Sequence, residues 1–566
     1  MKPLPLVGLG LLLFASQSLS VDNTPPPSTQ AAVTAEARRA AEEITPPVIV
    51  AHTKFLASDL LEGRGPSTRG DRLAMEYVAS QMEALGLKPA APGGGWIQKV
   101  PLVAITPKVP ETMSLSRPDG KQLSLRYRDD FVAFSGVQKP SASIEGAELV
   151  FVGYGIVAPE YSWNDFKDVS VKGKVLVIMN NDPEDDPNLF AGKTRLWYGR
   201  WDYKYIEAAR QGAVGAIIIH TTHSAGYPWQ VVRTSWAGAQ YELPYEGEPR
   251  VQIKGWATEE ASRKIAALGG KDLDQLRAAA EKRDFRPVPL NVKLTFALQN
   301  AIETVESGNV IGKLSGSDPK LAGEAVLFTA HHDHFGIKEG ARPGADAIYN
   351  GARDNASGVA AMLAVARAFT RLPKPPRRTI LFASVTSEEQ GLLGSAYLAR
   401  HPPVPAGSLA ANINIDEVNI WGKTKDIVSI ALGKSSLDAP IRELAAMQGR
   451  TVKPDPFPDK GHFYRSDQFN LARIGVPAAY FDSGVDFVGR PAGWGEKTIN
   501  QWEATDYHQP SDEYRDWWDL SGAVEDVQLD FYLGLSVANA DQMPSWNKGD
   551  EFEAARKKAL AESQPR

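Results

Sequence analysis

The sequence predicts an α/β protein whose main unit is a mixed, largely parallel central sheet flanked by helices. Short apolar runs of strand length alternate with stretches whose apolar residues recur at helical spacing. The clearest example is an apolar run at residues 326–329, helical spacing over residues 357–370, and a second apolar run at residues 379–384. Strands that alternate with helices in this way are typical of α/β domains.

Composition limits the possible functions. At 566 residues the chain is too long for one ordinary domain, so two or three are expected. A formal net charge of -6 and the lack of a basic block give no electrostatic reason to expect nucleic acid as a partner. The chain has no cysteine, which excludes disulfides and cysteine-ligated zinc. Any metal must therefore be held by histidine and carboxylate side chains. No pattern indicates an oligomeric state.

The N-terminus has the pattern of an export signal. Lys2 precedes an apolar run at residues 4–15 that is too short to span a membrane, and small residues follow at positions 18 and 20 of Ser18-Leu19-Ser20. We therefore interpret residues 1–20 as a cleaved signal peptide and expect a periplasmic or secreted protein. Later stretches do not reach spanning length, so no stable membrane insertion is expected after cleavage.

Candidate catalytic residues gather where predicted strands end and helices begin, which is where open α/β sheets carry their active sites. His331 ends a strand, and the carboxylate of Asp333, two residues later, could orient its imidazole. Asp354 precedes a predicted helix, where it could also be a simple N-cap. Glu388 and Glu389 follow a buried strand, and such adjacent carboxylates repel each other unless a cation or shared proton compensates.

Two further residues complete the set. Asp416 ends another apolar strand, and His508 lies in a loop before the last predicted helix. Each residue alone could belong to a turn, a cap or a solvated helical turn, but so many at the junctions of one domain indicate a site. A shared carboxylate could hold two zinc ions about 3.5–4 Å apart with a bridging water as nucleophile. A spare glutamate could then take the proton from this water and return it to the leaving amine.

Five motifs carry a resemblance to a known family: Ala330-His331-His332-Asp333-His334, Asp354-Asn355-Ala356-Ser357-Gly358, Ser387-Glu388-Glu389-Gln390-Gly391, Asn414-Ile415-Asp416 and Tyr507-His508. In this order they resemble the M28 family of dizinc peptidases, which includes bacterial aminopeptidases and the glutamate carboxypeptidase II group. The resemblance implies a zinc-exopeptidase-like fold and two Zn²⁺ ions. It assigns five ligands: His331 and Asp416 for one ion, Glu389 and His508 for the other, and Asp354 for both.

The resemblance also implies roles for neighbouring residues. Glu388 matches the general base, and Asp333 matches the partner of His331. A cis peptide bond is implied between Asp354 and Asn355.

The residues themselves predict a signal peptide at 1–20, a linker at 21–45 and a tail at 546–566. The resemblance implies the segments between them: the first part of the peptidase domain at 46–139, an inserted β-rich protease-associated (PA) domain at 140–290 and the catalytic part at 291–545.

The sequence departs from the family pattern in two places. Gln468 stands where many members have a histidine or tyrosine near the substrate, so Tyr464 and Arg465 become candidates for that contact. Arg353 precedes the bridging acid, where an acid or apolar residue is common. It could bind a substrate carboxylate, but pairing with a neighbouring acid is the favoured interpretation.

We therefore expect an exported zinc aminopeptidase that acts on peptides, with Glu388 activating a metal-bridging water. One alternative is a carboxypeptidase or dipeptidase of the glutamate carboxypeptidase type, in which Arg353 or Arg465 grips a terminal carboxylate. A non-catalytic binding relative would have lost ligands, and none is missing here. A glutaminyl cyclase-like acyltransferase would bind one zinc and lack the insertion. The pattern does not predict a side-chain preference.

Overall fold

The computed structural model describes residues 33–563, apart from residues 185, 187, 188, 237 and 339. The predicted signal peptide lies outside the described residues. The α-helices, in chain order, are α1 (Ala35–Ala41), α2 (Pro46–Leu56), α3 (Arg69–Ala84), α4 (Trp201–Arg210), α5 (Thr222–Ala225), α6 (Trp229–Ser235), α7 (Glu259–Leu268), α8 (Leu273–Ala280), α9 (Gly358–Thr370), α10 (Leu393–Arg400), α11 (Asp438–Met447), α12 (Gln468–Arg473), α13 (Trp494–Thr505), α14 (Ser521–Asn539) and α15 (Glu553–Ser563).

The strands, in chain order, are β1 (Lys88–Pro89), β2 (Ile97–Lys108), β3 (Thr112–Ser116), β4 (Gln122–Arg126), β5 (Phe131–Ser135), β6 (Ser141–Phe151), β7 (Val157–Ala158), β8 (Trp163–Asn164), β9 (Val175–Met179), β10 (Gly215–His220), β11 (Gln240–Glu242), β12 (Ile253–Thr258), β13 (Val288–Leu314), β14 (Ala325–His331), β15 (Thr379–Val385), β16 (Leu409–Asn414), β17 (Asp426–Ser429), β18 (Thr451–Lys453) and β19 (Ala478–Asp482).

The central sheet is mixed, with a parallel core. Its strand order is β13, β15, β14, β16, β19, β17, β18. The strands β15, β14, β16 and β19 are parallel to one another, while β13 is antiparallel to β15 and β17 is antiparallel to β19. This arrangement confirms the predicted mixed, largely parallel sheet flanked by helices.

Helices cover both faces of the parallel strands, so every residue of β14 and β15 is buried. Successive side chains of a strand point to opposite faces. Phe328 and Ile380 therefore pack in one core with residues of α9 and α14. Leu327 and Leu381 pack in another core with residues of α10 and α12. Strands buried on both faces need continuous apolar runs, which is the pattern that the sequence shows.

A single long strand joins this sheet to a second, β-rich unit. The strand β13 pairs with β15 at its C-terminal end, with β2 over its middle and with β6 near its start. From β6 the second sheet continues through β9, β10, β12 and β5. Two apolar cores of its own stabilise this unit.

The β-rich unit begins earlier than predicted. The strand β3 pairs with β13, β5 pairs with β12, and Met113, Leu115 and Phe131 lie in the unit's core. The unit therefore extends back to about residue 112, whereas the sequence placed its start at residue 140. A strand pattern does not reveal which sheet the strand will join, so the boundary could not be read from it.

Parts of the predicted linker and tail are packed structure. Residues 35–41 of the predicted linker form α1, whose buried alanines Ala37, Ala40 and Ala41 join the main core. In the predicted tail, Trp546 is buried and α15 packs against the turn at residues 406–408. Alanine-rich sequence hid the packing of α1 and α15, because small apolar side chains give little hydrophobic signal.

The β-rich unit and the catalytic part also touch directly. The backbone N–H of Arg195 donates to the carbonyl of Pro458 at 3.0 Å. The ring centroid of Trp197 lies 4.9 Å from that of Phe469. Within residues 33–563, as far as they are described, no helix has the length and apolar character needed to cross a bilayer.

Candidate metal centre and active site

The predicted ligands meet at the carboxyl ends of the parallel strands. His331 is the last residue of β14, and Glu389 and Asp416 follow β15 and β16. Asp354 lies in the turn that leads into α9, and His508 lies in the loop after α13. Because β14, β15 and β16 run in parallel, their carboxyl ends lie at one edge of the sheet. The structure therefore brings all five predicted ligands together.

Asp354 occupies the centre of this cluster. Its Oδ1 lies 3.2 Å from Nε2 of His331, and that nitrogen is also 3.2 Å from Oδ1 of Asp416. Its Oδ2 lies 3.3 Å from Nε2 of His508, and that nitrogen is 3.1 Å from Oε2 of Glu389. One carboxylate thus offers one oxygen to each half of the cluster, which is the arrangement expected of a bridging ligand.

The turn that carries Asp354 has the implied backbone. The peptide bond between Asp354 and Asn355 is cis. The side-chain oxygen of Asn355 accepts hydrogen bonds from the backbone N–H groups of Gly358 and Glu417, each at 2.9 Å. These bonds tie the start of α9 to the segment that follows Asp416.

The donor atoms fit metal ions such as zinc. Imidazole nitrogen and carboxylate oxygen are typical zinc ligands. The ligand atoms of His331, Asp354 and Asp416 lie within 4.8 Å of one another. Nε2 of His334 and of His508 are buried and make no hydrogen bond of good geometry with the described residues. Buried polar atoms of this kind need a partner, and a cation would supply one.

A second possible ligand set was not foreseen. The ligand atoms of His334, Asp354 and Glu389 also lie within 4.8 Å of one another, and Nδ1 of His334 contacts Oε1 of Glu389. The third histidine of the motif at residues 330–334 was the available signal. Its spacing from His331 alone does not show which way its ring points.

Burial and charge set the protonation of the acids. Burial would raise the pKa of Asp354, but its interactions with His331 and His508 outweigh burial and hold that pKa well below the usual value. Burial raises the pKa of Glu388 well above the usual value; His331 opposes this shift, while the carboxylates of Asp416 and Glu389 add to it. Asp354 is thus an anion suited to bind cations, whereas Glu388 holds a proton more tightly than an ordinary carboxyl group does.

Asp333 is placed differently from the expectation. Its Oδ1 is 3.8 Å from Nδ1 of His331, which is too long for a hydrogen bond, and that nitrogen lies 3.3 Å from the backbone carbonyl of Asp333. The Asp333 carboxylate instead accepts the N–H groups of Glu388 at 3.0 Å and Glu389 at 3.3 Å. The expectation assumed an extended chain, but β14 ends at His331. Asp333 therefore positions the two glutamates.

Asp512 has a similar role that the sequence did not reveal. Its two carboxylate oxygens accept the backbone N–H groups of Arg353 at 2.9 Å and Asp354 at 3.0 Å. These bonds hold the loop of His508 against the turn of Asp354. A short carboxylate in a loop has no pattern that distinguishes it from a solvated turn residue.

The candidates for substrate contact have different surroundings. Arg353 lies 2.7 Å from a carboxylate oxygen of Glu417 and packs over the rings of Trp421 and Trp502. Arg353 is 2% exposed. A buried arginine paired with Glu417 is what we expect if Arg353 pairs with a neighbouring acid and does not bind a substrate carboxylate. Substrate therefore has little access to its guanidinium.

Tyr464 does not face the ligand cluster. Its hydroxyl donates to Glu551, and its ring lies 5.3 Å from that of Phe469 in a buried apolar cluster. Its proximity in sequence to Ser466 suggested a contact with substrate, but the turn at residues 462–464 directs the side chain into the core. The suggestion that Tyr464 binds substrate is wrong for this structure.

Arg465 is only partly buried and lies beside the cluster. Its Nη2 atom is 3.5 Å from the hydroxyl of Tyr507, and the Tyr507 ring stacks on His508 with centroids 3.7 Å apart. It forms no ion pair with the described residues. Next to it, the hydroxyl of Ser466 donates to Asp416. Of the three candidates, Arg465 alone keeps a free charge beside the ligands.

Comparison with known proteins agrees with this geometry. Residues 309–532 match the model of Peptidase family M28. A vacuolar membrane protease of Lodderomyces elongisporus is 34% identical over 97 residues, which are 17% of this chain and 9% of that protein. A probable zinc metalloprotease of Pyrenophora tritici-repentis is 47% identical over 68 residues, which are 12% of this chain and 15% of that protein. The chain thus matches only a small part of either relative's length.

The similarity in fold extends further than the similarity in sequence. The aminopeptidase from Aneurinibacillus sp. strain AM-1 superposes with a TM-score of 0.50 at 19% identity, covering 89% of this chain and 96% of that chain. At this identity the likeness concerns the fold alone. Residues 309–532, which contain all five predicted ligands, are thus similar to peptidase family M28, and the fold of the chain is similar to that of this aminopeptidase.

Proposed function

We propose that the protein is an exported zinc-dependent exopeptidase that removes N-terminal residues from peptides. The central support is the bridging position of Asp354, whose two oxygens face His331 and His508 at 3.2 and 3.3 Å. This geometry suits a pair of metal ions that share one ligand. The proposed ligand sets are His331 with Asp416, and Glu389 with His508, with Asp354 common to both.

Two zinc ions held in this way would polarise the scissile carbonyl and lower the pKa of the attacking water. Glu388 would accept a proton from this water and pass it to the nitrogen of the leaving peptide. The peptide C–N bond breaks, water supplies the new carboxylate oxygen, and the proton ends on the new amine. The bond from the Glu388 N–H to Asp333 at 3.0 Å holds this residue in place for both transfers.

The charge of the site favours a substrate with a free amine. Besides the ligands and Glu388, the carboxyl groups of Asp333, Asp467 and Asp512 are buried around the cluster. The walls of the site are therefore rich in carboxyl groups. A protonated N-terminal amine brings positive charge to this region, whereas a second carboxylate close to the ligands would be repelled.

A carboxypeptidase or dipeptidase is the second candidate, and one observation favours it. Arg465 carries a partly buried charge without an ion pair to the described residues, beside Tyr507. Guanidinium groups bind carboxylates through paired hydrogen bonds. A peptide whose terminal carboxylate reached Arg465 would lie with its scissile bond near the ligands.

The proposal of export rests on the N-terminal sequence. The chain has the order of a cleavable signal: Lys2, then the apolar run at residues 4–15, then small residues at 18 and 20. Secretion would present the peptidase to peptides outside the cytoplasm.

Loss of single ligands should change the metal content in steps. Wild-type protein should hold two zinc ions per chain after dialysis, measured by plasma mass spectrometry. The variants His331→Ala and His508→Ala should each hold about one, because each removes a ligand of one ion only, and Asp354→Ala should hold fewer than one. His462→Ala is the control, since His462 pairs with Asp455 away from the cluster.

The same measurement decides between His508 and His334. Loss of one ion from His334→Ala, with both ions kept in His508→Ala, would show that His334, and not His508, binds that ion together with Glu389 and Asp354. A wild-type protein that takes up no metal would contradict the whole mechanism.

The variant Glu388→Gln should keep its metal but lose turnover. The amide has nearly the same shape as the carboxylate but cannot take a proton from water, so kcat should fall by about 10²- to 10⁴-fold. Zinc content and thermal unfolding should match those of the wild type. If Glu388→Gln kept more than a tenth of wild-type kcat, Glu388 would not be the general base.

Paired substrates should distinguish the two candidate activities. Dipeptides with a free amine should be cleaved, and the same dipeptides with an acetylated amine should not, as followed by chromatography of the products. Amidation of the C-terminus should have little effect. Cleavage of acetylated dipeptides, together with a raised KM for them in Arg465→Met, would instead establish the carboxypeptidase activity.

Processing of the N-terminus should accompany export. In an expressing bacterium, mature protein should be recovered from the periplasm or medium, with sequencing showing a start near residue 21. The variant Leu12→Arg should remain in the cytoplasm at full length, because a charge interrupts the apolar run. Recovery of intact wild-type protein with Met1 in the cytoplasm alone would contradict export.

A further inference from the structure

A completely buried arginine lies beneath the ligand cluster. Arg64 ends the 3₁₀ segment Asp59–Arg64 and has no exposed surface. Its guanidinium donates to four backbone carbonyls, those of Leu56 at 2.5 Å, His332 at 2.7 Å, Asn350 at 2.6 Å and Gly351 at 3.0 Å. It forms no ion pair with the described residues.

Three of these acceptors belong to the two ligand-bearing turns, whereas Leu56 ends α2. His332 directly follows the ligand His331, and Gly351 precedes the bridging Asp354 by three residues. The planar guanidinium directs its N–H groups rigidly, so one side chain sets the separation of the two turns. The two segments also pair directly through an antiparallel bridge between Ile337 and Ile348, but this bridge lies farther along the chain from the ligands than His332 and Gly351 do.

The backbone around Arg64 is fitted to the same turns. The carbonyl of Gly63 accepts the N–H of Gly336 at 3.0 Å, and that of Arg64 accepts the N–H of His334 at 3.3 Å. Gly63 has a φ of +69°, and a Cβ there would lie 2.4 Å from the carbonyl oxygen of Gly336. This close approach requires glycine.

A second link runs through Asn350. Its side-chain amide donates to the carbonyl of Ala57 at 2.8 Å and to the carboxylate of Asp59 at 2.7 Å. Residues 56–64 therefore contact the turn before Asp354 through two groups, the guanidinium of Arg64 and the side-chain amide of Asn350.

The charge of Arg64 suits its position. Burial lowers its pKa to about 10, against the opposing effect of Asp333, Asp512, Asp354 and Glu389. The group therefore stays protonated at neutral pH. A fixed buried cation close to several acids offsets part of their mutual repulsion before any metal binds.

We propose that Arg64 is a positioning residue that holds the turns of His331 and Asp354 in the geometry that binds the metal pair. The N-terminal segment 56–64 is on this view part of the metal centre, although none of its side chains is a ligand. The proposal rests on the proposed function only in that the cluster binds divalent metal.

Zinc affinity is the direct test, measured by competition with a chromophoric chelator in the full-length protein. Arg64→Met should weaken zinc binding by about 10- to 100-fold, as is typical for residues that support ligands without touching the metal. Arg64→Lys should also weaken it, because an ammonium keeps the charge but cannot reach all four carbonyls. Amide hydrogen exchange in metal-free protein should quicken at residues 332–336 and 350–354.

Arg378 supplies a matched control. It is also buried, and its Nη1 atom donates to the carbonyls of Val537 and Ala540. These contacts lie at the start of β15, whereas the ligands lie beyond the ends of the parallel strands. Arg378→Met should lower the unfolding temperature yet leave zinc affinity and exchange in the two turns at wild-type values. An equal loss of zinc affinity in Arg378→Met and Arg64→Met would show a merely structural effect and overturn the proposal.

Two milder variants keep the test decisive if Arg64→Met does not fold. Asn350→Ala removes the second link without touching the guanidinium and should weaken zinc binding, as should Arg64→Lys. Wild-type zinc affinity in both would overturn the proposal. Because affinity is measured without a peptide, a protein that binds zinc but cleaves no peptide would contradict the proposed function while leaving this result to stand.

Discussion

The structure depends on keeping several carboxylates buried side by side. Asp354, Glu388, Glu389 and Asp416 converge at one edge of the sheet, where low polarity strengthens their repulsion. The protein offsets this repulsion with imidazoles, with backbone N–H groups and with one buried guanidinium. The parallel strands matter because they end together: three of them deliver their acids and imidazoles to the same small volume without any long loop.

The supporting residues divide this task between them. Asp333 holds the glutamate pair through backbone N–H groups, and Asp512 holds the bridging turn in the same manner. Arg64 links the two ligand-bearing turns from below. Each support acts on backbone, so the ligands keep their own oxygen and nitrogen atoms free for a cation. These contacts thus organise the site before any cation binds.

Sequence patterns predicted the parts of this site that have a strong local signal. The apolar runs at 326–329 and 379–384 gave the strands, and the acids and histidines beside them gave the ligand candidates. Contacts between distant segments left no such signal. The direction of Tyr464 and the partners of Asp333 depend on turns whose geometry is set by tertiary packing. The early start of the β-rich unit depends on pairing between strands far apart in sequence.

The long strand β13 has a mechanical consequence. It is 27 residues long and belongs to both sheets, pairing with β6 at one end and β15 at the other. A hinge motion of the β-rich unit relative to the central sheet would break consecutive backbone hydrogen bonds along β13. The shared strand therefore limits such motion between the two units. If the protein cleaves peptides as proposed, they would enter through movement of loops and side chains, since the shared strand limits opening between the two units.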